Sequence, residues 1–214
     1  MSTKSKDTQG ESYDPVPAGT QHGICIAVID IGTQPSSNPQ FKPRPKVIIT
    51  WELPNEKITV TKDGSSMELN RVISATYTNT LASKGNLRPD LASWRGRDFT
   101  EAELESFELG ALIGANCLLS VVHNKKDTKT YANVASISPL MKGMPKLKPD
   151  NPTVHFDLDV FLASDAKELP DTLHNWIKDK IVQSAEWQRA KSGKSEPTEA
   201  QKANQGEADE DVPF

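Results

Sequence analysis

The chain has 214 residues and a formal net charge of −4, and 36% of its residues are hydrophobic. This length suits one domain of about 120–180 residues with polar termini. Because the sequence shows neither a secretory leader nor an apolar run of about 18 residues, it predicts no export and no membrane contact. We therefore expect a cytoplasmic protein.

The acidic residues are concentrated near the C-terminus. Residues 196–214 contain six acids and one base, whereas residues 1–195 contain 24 bases and 23 acids. The body of the protein is thus near neutral and can hold a basic groove. Its charge alone does not require a nucleic-acid partner.

The first half of the chain predicts strands separated by one proline-rich loop. Residues 1–18 are rich in Ser, Lys, Gly and Pro and indicate a flexible N-terminal segment. Residues 19–32 alternate as a long strand, and four prolines within residues 33–45 indicate a loop. A second strand is predicted at 46–53, and a hairpin joins 58–61 to 67–79 through Asp63-Gly64.

A helical insertion and two further strands follow. Leu87, Leu91 and Trp94 lie at helical spacing after Asn86, a candidate N-cap. Thr100-Glu101-Ala102-Glu103 forms a capping box that predicts a second helix reaching towards Gly114. Strands are then expected at 117–123 and 131–137. This order of three strands, a helical insertion and two strands is that of the five-stranded OB barrel.

The remaining elements complete a three-part organisation. Residues 141–149 indicate a basic linker interrupted by prolines, residues 154–161 indicate a further strand, and residues 170–189 indicate a C-terminal helix. We predict a flexible segment at 1–18, a mainly β OB-fold domain at 19–189 and a disordered acidic tail at 190–214. Cys25 and Cys117 lie in apolar strands, which favours reduced, buried thiols over a disulfide.

Single-stranded nucleic acid is bound by aromatic rings that stack on bases and by cations that contact phosphates. In an OB fold the groove crosses the middle strands between the first loop and the last hairpin, and both segments are basic here. Trp51 and Tyr77 are equally well explained as core residues. The candidate DNA-binding residues are Phe41, Lys42, Arg44, Lys46, Trp51, Arg71, Tyr77, Arg95, Arg97, Lys125, Lys126, Lys129 and Tyr131.

The sequence predicts neither an enzyme nor a cofactor or metal site. Four scattered histidines and two cysteines lack zinc-ligand spacing, and no phosphate-binding glycine loop or nucleophile motif is present. Asp157 and Asp159 alternate onto one face of the predicted strand and could hold a catalytic metal, as in nucleases. A solvent-facing acidic strand edge is the simpler interpretation of this pair.

The last six residues, Asp209, Glu210, Asp211, Val212, Pro213 and Phe214, form a candidate partner-binding peptide. A partner pocket can take the Phe ring while a nearby base takes the terminal carboxylate. A merely solubilising tail is the alternative. The segment resembles the acidic tip of bacterial single-stranded DNA-binding proteins, which recruits replication and repair enzymes.

A second resemblance covers most of residues 16–187. The run from Leu87 to Thr100, residues 109–117 and the strand at 131–137 resemble bacteriophage single-stranded DNA-binding proteins of replication and recombination. This resemblance implies a phage protein that coats single strands and recruits enzymes through its tip. The alternative is an adaptor, such as a helicase loader or recombination mediator, that scarcely touches DNA. The helical insertion departs from the compact tetrameric bacterial core, and a homo-oligomer is left open.

Overall fold

A computed structural model describes residues 14–36, 38–62, 64–166 and 168–192. The chain divides into two compact units. Described residues of 14–29 and 48–155 form the first unit, and those of 30–47 and 156–192 form the second. Within these ranges, none of the helices combines the length and hydrophobicity needed to cross a lipid bilayer.

The architecture is a mainly β, OB-like half-barrel. Its strands are β1 (Gly19–Gln34), β2 (Arg44–Lys62), β3 (Ser65–Thr78), β4 (Asn116–Lys126) and β5 (Lys129–Ser138). They lie in the order β3-β2-β1-β4-β5, and a short strand, β6 (Val154–Phe156), pairs with β1. β4 is antiparallel to both β1 and β5. Because β3 also contacts β5, the two ends of the sheet curl towards each other.

The strands predicted at 19–32, 46–53, 67–79, 117–123 and 131–137 are confirmed. The strand predicted at 154–161 is wrong beyond Phe156, because residues Leu158–Leu162 form a helix. β2 continues through Pro54 as a single strand, where the sequence analysis predicted two shorter segments. The turn was predicted at Asp63-Gly64: Asp63 lies outside the described residues, and Gly64, just before β3, has a φ of 80°. Only glycine adopts this left-handed conformation at little cost, which explains its place in a tight turn.

The core of the first unit lies against β1, β2 and β4. Trp51, Leu91, Leu119 and Ile137 are each at most 1% exposed. The predicted free thiols are confirmed, since Cys25 and Cys117 are unpaired and buried. Burial raises the pKa of the Cys25 thiol to about 12, so the thiol stays protonated at neutral pH.

The insertion between β3 and β4 contains α1 (Leu87–Arg95), α2 (Glu101–Glu105) and a short 3-10 turn (Leu109–Leu112). Asn86 occupies the N-cap position of α1, although its side chain makes no capping hydrogen bond. The predicted capping box of α2 is confirmed at Thr100 and Glu103. The predicted extension of α2 to Gly114 is wrong, because the backbone leaves the helical region at Ser106.

The second unit contains α3 (Leu158–Leu162), α4 (Asn175–Val182) and α5 (Ala185–Ser192). The single helix predicted at 170–189 is therefore wrong in two respects, because helix begins only at Asn175 and is interrupted after Val182. Buried Ser184 causes the break, because its hydroxyl accepts the backbone N–H of Trp187 at 3.2 Å and starts a new helix. Thr33 at the end of β1 donates its backbone N–H and hydroxyl to the Glu186 carboxylate, at 2.7 and 2.6 Å.

Candidate nucleic-acid interface

The β4–β5 hairpin places aromatic, amide and basic side chains on one exposed face. Lys126 pairs with Lys129 across the two-residue loop, and Asn124 pairs with Tyr131. Side chains alternate along a strand, and directly paired residues point to the same face. These two pairs and the pair of Val122 with Asn133 therefore share one face of the hairpin. We call this set the hairpin face: Val122, Asn124, Lys126, Lys129, Tyr131 and Asn133.

The hairpin face is opposite to the side chains that fill the core. Leu119 and Val121 of β4 are at most 2% exposed, whereas Val122 is 39% exposed and Tyr131 is 49% exposed. Both lysines at the loop are exposed as well. An accessible ring beside two cations provides the two interactions that a nucleic-acid strand requires, base stacking and phosphate neutralisation.

The two lysines remain unneutralised within the described part of the chain. Neither Lys126 nor Lys129, nor neighbouring Lys125 on the other face of the hairpin, forms an ion pair there. Like charges directly opposite each other on neighbouring strands are unfavourable. A bound anion would relieve this repulsion.

Two aromatic residues predicted to stack on bases are instead part of the core. Trp51 is fully buried, and its ring lies against Trp94 with the centroids 5.9 Å apart. Tyr77 is 7% exposed, and its hydroxyl donates to Asp90 of α1 at 2.9 Å. Both predictions are wrong because these strand positions face the hydrophobic interior.

The insertion arginines are also occupied by interactions within the protein. Arg95 and Arg97 both pair with Glu103, and Arg97 is bidentate at 2.7 and 2.9 Å. These bonds, of which those from Arg97 have the largest effect, lower the pKa of the Glu103 carboxyl well below its ordinary value. The Arg95 guanidinium also lies over the rings of Phe99 and Phe107. The structure thus gives Arg95 and Arg97 a structural role, and their DNA contact stays a prediction.

Arg71 has a similar structural role. Its guanidinium donates to the backbone carbonyls of Asp14 at 2.6 Å and Lys57 at 3.1 Å. These bonds attach the N-terminal segment to the β2–β3 hairpin. The guanidinium has further N–H donors, so its DNA contact stays a prediction.

The predicted loop residues belong to the second unit. Phe41 is 65% exposed, and Lys42 and Arg44 are exposed, while Lys46 is half-buried within β2. An exposed ring beside two exposed cations retains the chemistry that the sequence analysis predicted. These four residues therefore stay as candidates on their own unit.

One basic element of the first unit was not predicted from the sequence as part of the site. Residues 139–153 form an irregular segment with a turn at 141–144 and neither helix nor strand, which we call the strap. The strap begins after β5, and Lys142, Lys146 and Lys148 on it are all exposed. The available signal was three lysines without an acid in residues 141–149, which the sequence analysis described only as a linker.

A buried carboxylate fixes one end of the strap. Glu52 is fully buried and accepts hydrogen bonds from the backbone N–H groups of Asp150 and Asn151, at 3.0 and 2.7 Å. The side-chain amides of Asn70 and Asn151 donate to it as well, at 2.6 and 2.7 Å. Burial favours the neutral acid, but these four bonds outweigh it and lower the pKa of Glu52. Glu52 is thus a buried, ionised anchor.

Asn116 of β4 fixes the middle of the strap. Its Oδ1 accepts the backbone N–H of Leu147 at 2.9 Å, and its Nδ2 donates to the Leu147 carbonyl at 3.0 Å. The same Oδ1 lies 2.8 Å from Nε2 of His22. Because Nδ2 also donates to the Gly114 carbonyl, Oδ1 is the acceptor and His22 Nε2 must carry the proton.

The nuclease alternative loses its structural premise. β6 ends at Phe156, so Asp157 and Asp159 do not share a strand face as predicted. Asp157 is the N-cap of α3 and accepts the Val160 N–H at 3.0 Å. Among the described residues, no group of three or more His, Cys, Asp or Glu side chains is arranged to hold a metal.

The acidic tail and its tip lie largely outside the described residues. The predicted tail begins at residue 190, and the structure describes the chain only to residue 192. The six tip residues, Asp209 to Phe214, and most of the N-terminal segment at 1–18 are therefore without a structural account.

Comparison with known proteins adds no relative. The sequence matches no protein-family model and no curated protein, and the fold matches no solved structure.

Proposed function

We propose that this chain is a non-catalytic protein that binds single-stranded DNA with little preference for sequence. The observation that carries the proposal is the hairpin face, where Tyr131 is exposed beside Lys126 and Lys129. A ring that stacks on any base gives affinity without sequence readout, and such stacking contributes about 1–3 kcal/mol per base. The OB-like barrel supplies a rigid support for this surface.

Recruitment of replication, recombination or repair enzymes is the second part of the proposal. It is supported by the sequence of the tip, whose three acids precede Val212, Pro213 and Phe214. We further propose that the protein works in the cytoplasm, and in an infected bacterial host if a phage encodes it. The tail would also compete with DNA for the basic surface when no partner is bound.

The test is fluorescence anisotropy of a labelled oligo-dT and of a matched duplex, at low and moderate salt. We expect tight, salt-sensitive binding to the single strand and weak binding to the duplex. Tyr131→Ala should weaken single-strand binding by about 5- to 150-fold, the equivalent of about 1–3 kcal/mol. Trp176→Ala is the matched control, since Trp176 is also exposed, at 45%, but lies on α4.

An adaptor that uses the tip and scarcely touches DNA is the alternative function. It predicts no oligo-dT binding by the full-length protein or by a variant ending at residue 208. It also predicts that a partner captured by the full-length chain is lost when Phe214 is removed. Binding that is equal in wild type and Tyr131→Ala would contradict the role assigned to the hairpin face.

A further inference from the structure

We propose that the strap is a second phosphate-binding element and that Lys142, Lys146 and Lys148 hold the same DNA strand as the hairpin face. This inference rests on the function proposed above and extends its binding surface. It gives a function to the strap, which six hydrogen bonds hold in place. Three of these go to the buried charge of Glu52, one joins Asn70 to Asp150, and two join Asn116 to Leu147.

The strap and the hairpin face meet the same side of the sheet. Asn116, Val122 and Lys126 are an even number of residues apart on β4, so their side chains project from one face. The register shift near Val121 places the additional residue, Ala135, in β5, and the alternation along β4 is uninterrupted. The hydrogen bond between Asn116 and His22, whose strand partner is Leu118, agrees with this assignment.

The distance between the two elements suits one bound strand. Ten residues separate Asn116 from Lys126, which corresponds to about 33 Å at a rise of about 3.3 Å per residue. At the stacked spacing of one duplex strand, about 3.4 Å per nucleotide, about ten nucleotides cover that length, and a more extended single strand covers it with fewer. OB folds typically occupy about 4–16 nucleotides, so both elements fit within one site.

The strap lysines are positioned before any ligand arrives. Leu147 is bound through both its N–H and its carbonyl, which fixes the backbone between Lys146 and Lys148. Pro145 and Pro149 restrict the same stretch further, because their rings lock φ. A segment that is already ordered loses less conformational entropy on binding than a mobile loop does.

The charge on the strap is available to a ligand. Within the described part of the chain, the three lysines form no ion pair with an acid. Asp150 is the single acid of residues 139–153, and its carboxylate accepts the Asn70 amide at 2.9 Å. The strap therefore presents three cations towards solvent, where they can displace counterions from a phosphate backbone.

The test replaces all three strap lysines by Gln and compares oligo-dT affinity across a salt titration. Removing one lysine–phosphate interaction should reduce the slope of log K against log salt by about 0.7, so the triple variant should show a slope smaller by about 2. Its affinity at low salt should fall at least tenfold. The matched control carries Lys178→Gln, Lys180→Gln and Lys191→Gln on α4 and α5, and should keep the wild-type slope.

The outcomes separate this inference from the proposed function. If the strap variant keeps the wild-type slope while Tyr131→Ala weakens binding, the inference is overturned and the proposed function stands. If the salt slope decreases equally in the strap variant and in the control, the effect is one of net charge alone, and the inference is also overturned. Absence of binding by the wild-type protein would sink both proposals together.

Discussion

Replacing Glu52 by Gln should destabilise the protein, although the two side chains have nearly the same shape. In the wild type, both carboxylate oxygens accept hydrogen bonds, and all four donors are backbone or side-chain N–H groups. A glutamine offers one oxygen and one NH₂ group. Whichever way the amide is oriented, two N–H donors then face another donor.

The magnitude follows from the two hydrogen bonds that the glutamine cannot accept. Hydrogen bonds to a charged group contribute about 1.5–3 kcal/mol each, and a donor left unsatisfied costs about 1–3 kcal/mol. Partial relaxation of the strap lets some of these donors reach water. We therefore expect Glu52→Gln to lower the free energy of unfolding by about 3 kcal/mol at pH 7. The substitution adds no volume, so overpacking does not contribute.

The measurement is urea unfolding followed by tryptophan fluorescence, repeated from pH 7 to pH 3. Because the folded-state pKa of Glu52 is lowered, its contribution is fully present above the unfolded pKa of about 4.3. It is lost as the pH falls through the folded-state pKa. The difference between wild type and variant should therefore narrow below about pH 4.3.

Glu68→Gln provides the control, since Glu68 is exposed on β3. It should change the unfolding free energy by less than about 0.5 kcal/mol. A Glu52→Gln variant as stable as this control at pH 7 would refute the assignment of Glu52 as an ionised anchor. A difference that stays constant down to pH 3 would refute the ionisation while retaining the hydrogen bonds.

Two further substitutions test the packing of the two units. Tyr77→Phe removes the 2.9 Å hydrogen bond to Asp90 and should lower the free energy of unfolding by about 1–2 kcal/mol. The measurement is the melting temperature, which should fall. An unchanged melting temperature would show that water replaces the hydroxyl. Gly32→Ala should lower the free energy of unfolding in urea by about 2–4 kcal/mol. The backbone of Gly32 has a φ of 68°, and an added Cβ would lie 2.7 Å from a Leu158 methyl group. Gly64→Ala is the comparison, because Gly64 has a φ of 80° but an added Cβ would meet no atom within 4 Å. It should show only the destabilisation that comes from backbone strain. Equal destabilisation by Gly32→Ala and Gly64→Ala would exclude a steric clash at Gly32.

The strands could be predicted well from the sequence because alternation is a local signal. The two faces of β1 and β2 could not be assigned, since apolar residues occupy both sides. Trp51 therefore looked equally suitable for the core and for a surface, and it lies in the core. Tyr131, in contrast, is 49% exposed in β5, and its contact with DNA stays a prediction.

Long-range pairing limited the prediction of the site. Arg95 and Arg97 looked like free cations because the acid that binds them, Glu103, lies one element further along the chain. The position of the strap was harder to predict, because Glu52 and the residue that binds it, Asn151, are 99 residues apart. Nothing in a local pattern distinguishes a tethered basic segment from a flexible linker.

The wide sequence separation at Glu52 also has a consequence for the order of folding. The barrel strands can pair once they have been synthesised, but the backbone donors for Glu52 come from residues 150 and 151, after β5. Pairing of β1 with β4 closes a loop of similar length, because Gly19 pairs with Val121, and the strap follows β5, so it docks on strands that have already paired. We expect the strap to dock last, and Glu52 to stay hydrated in the nascent chain until it does. Hydrogen exchange of the Asn151 amide would then report the first step of unfolding.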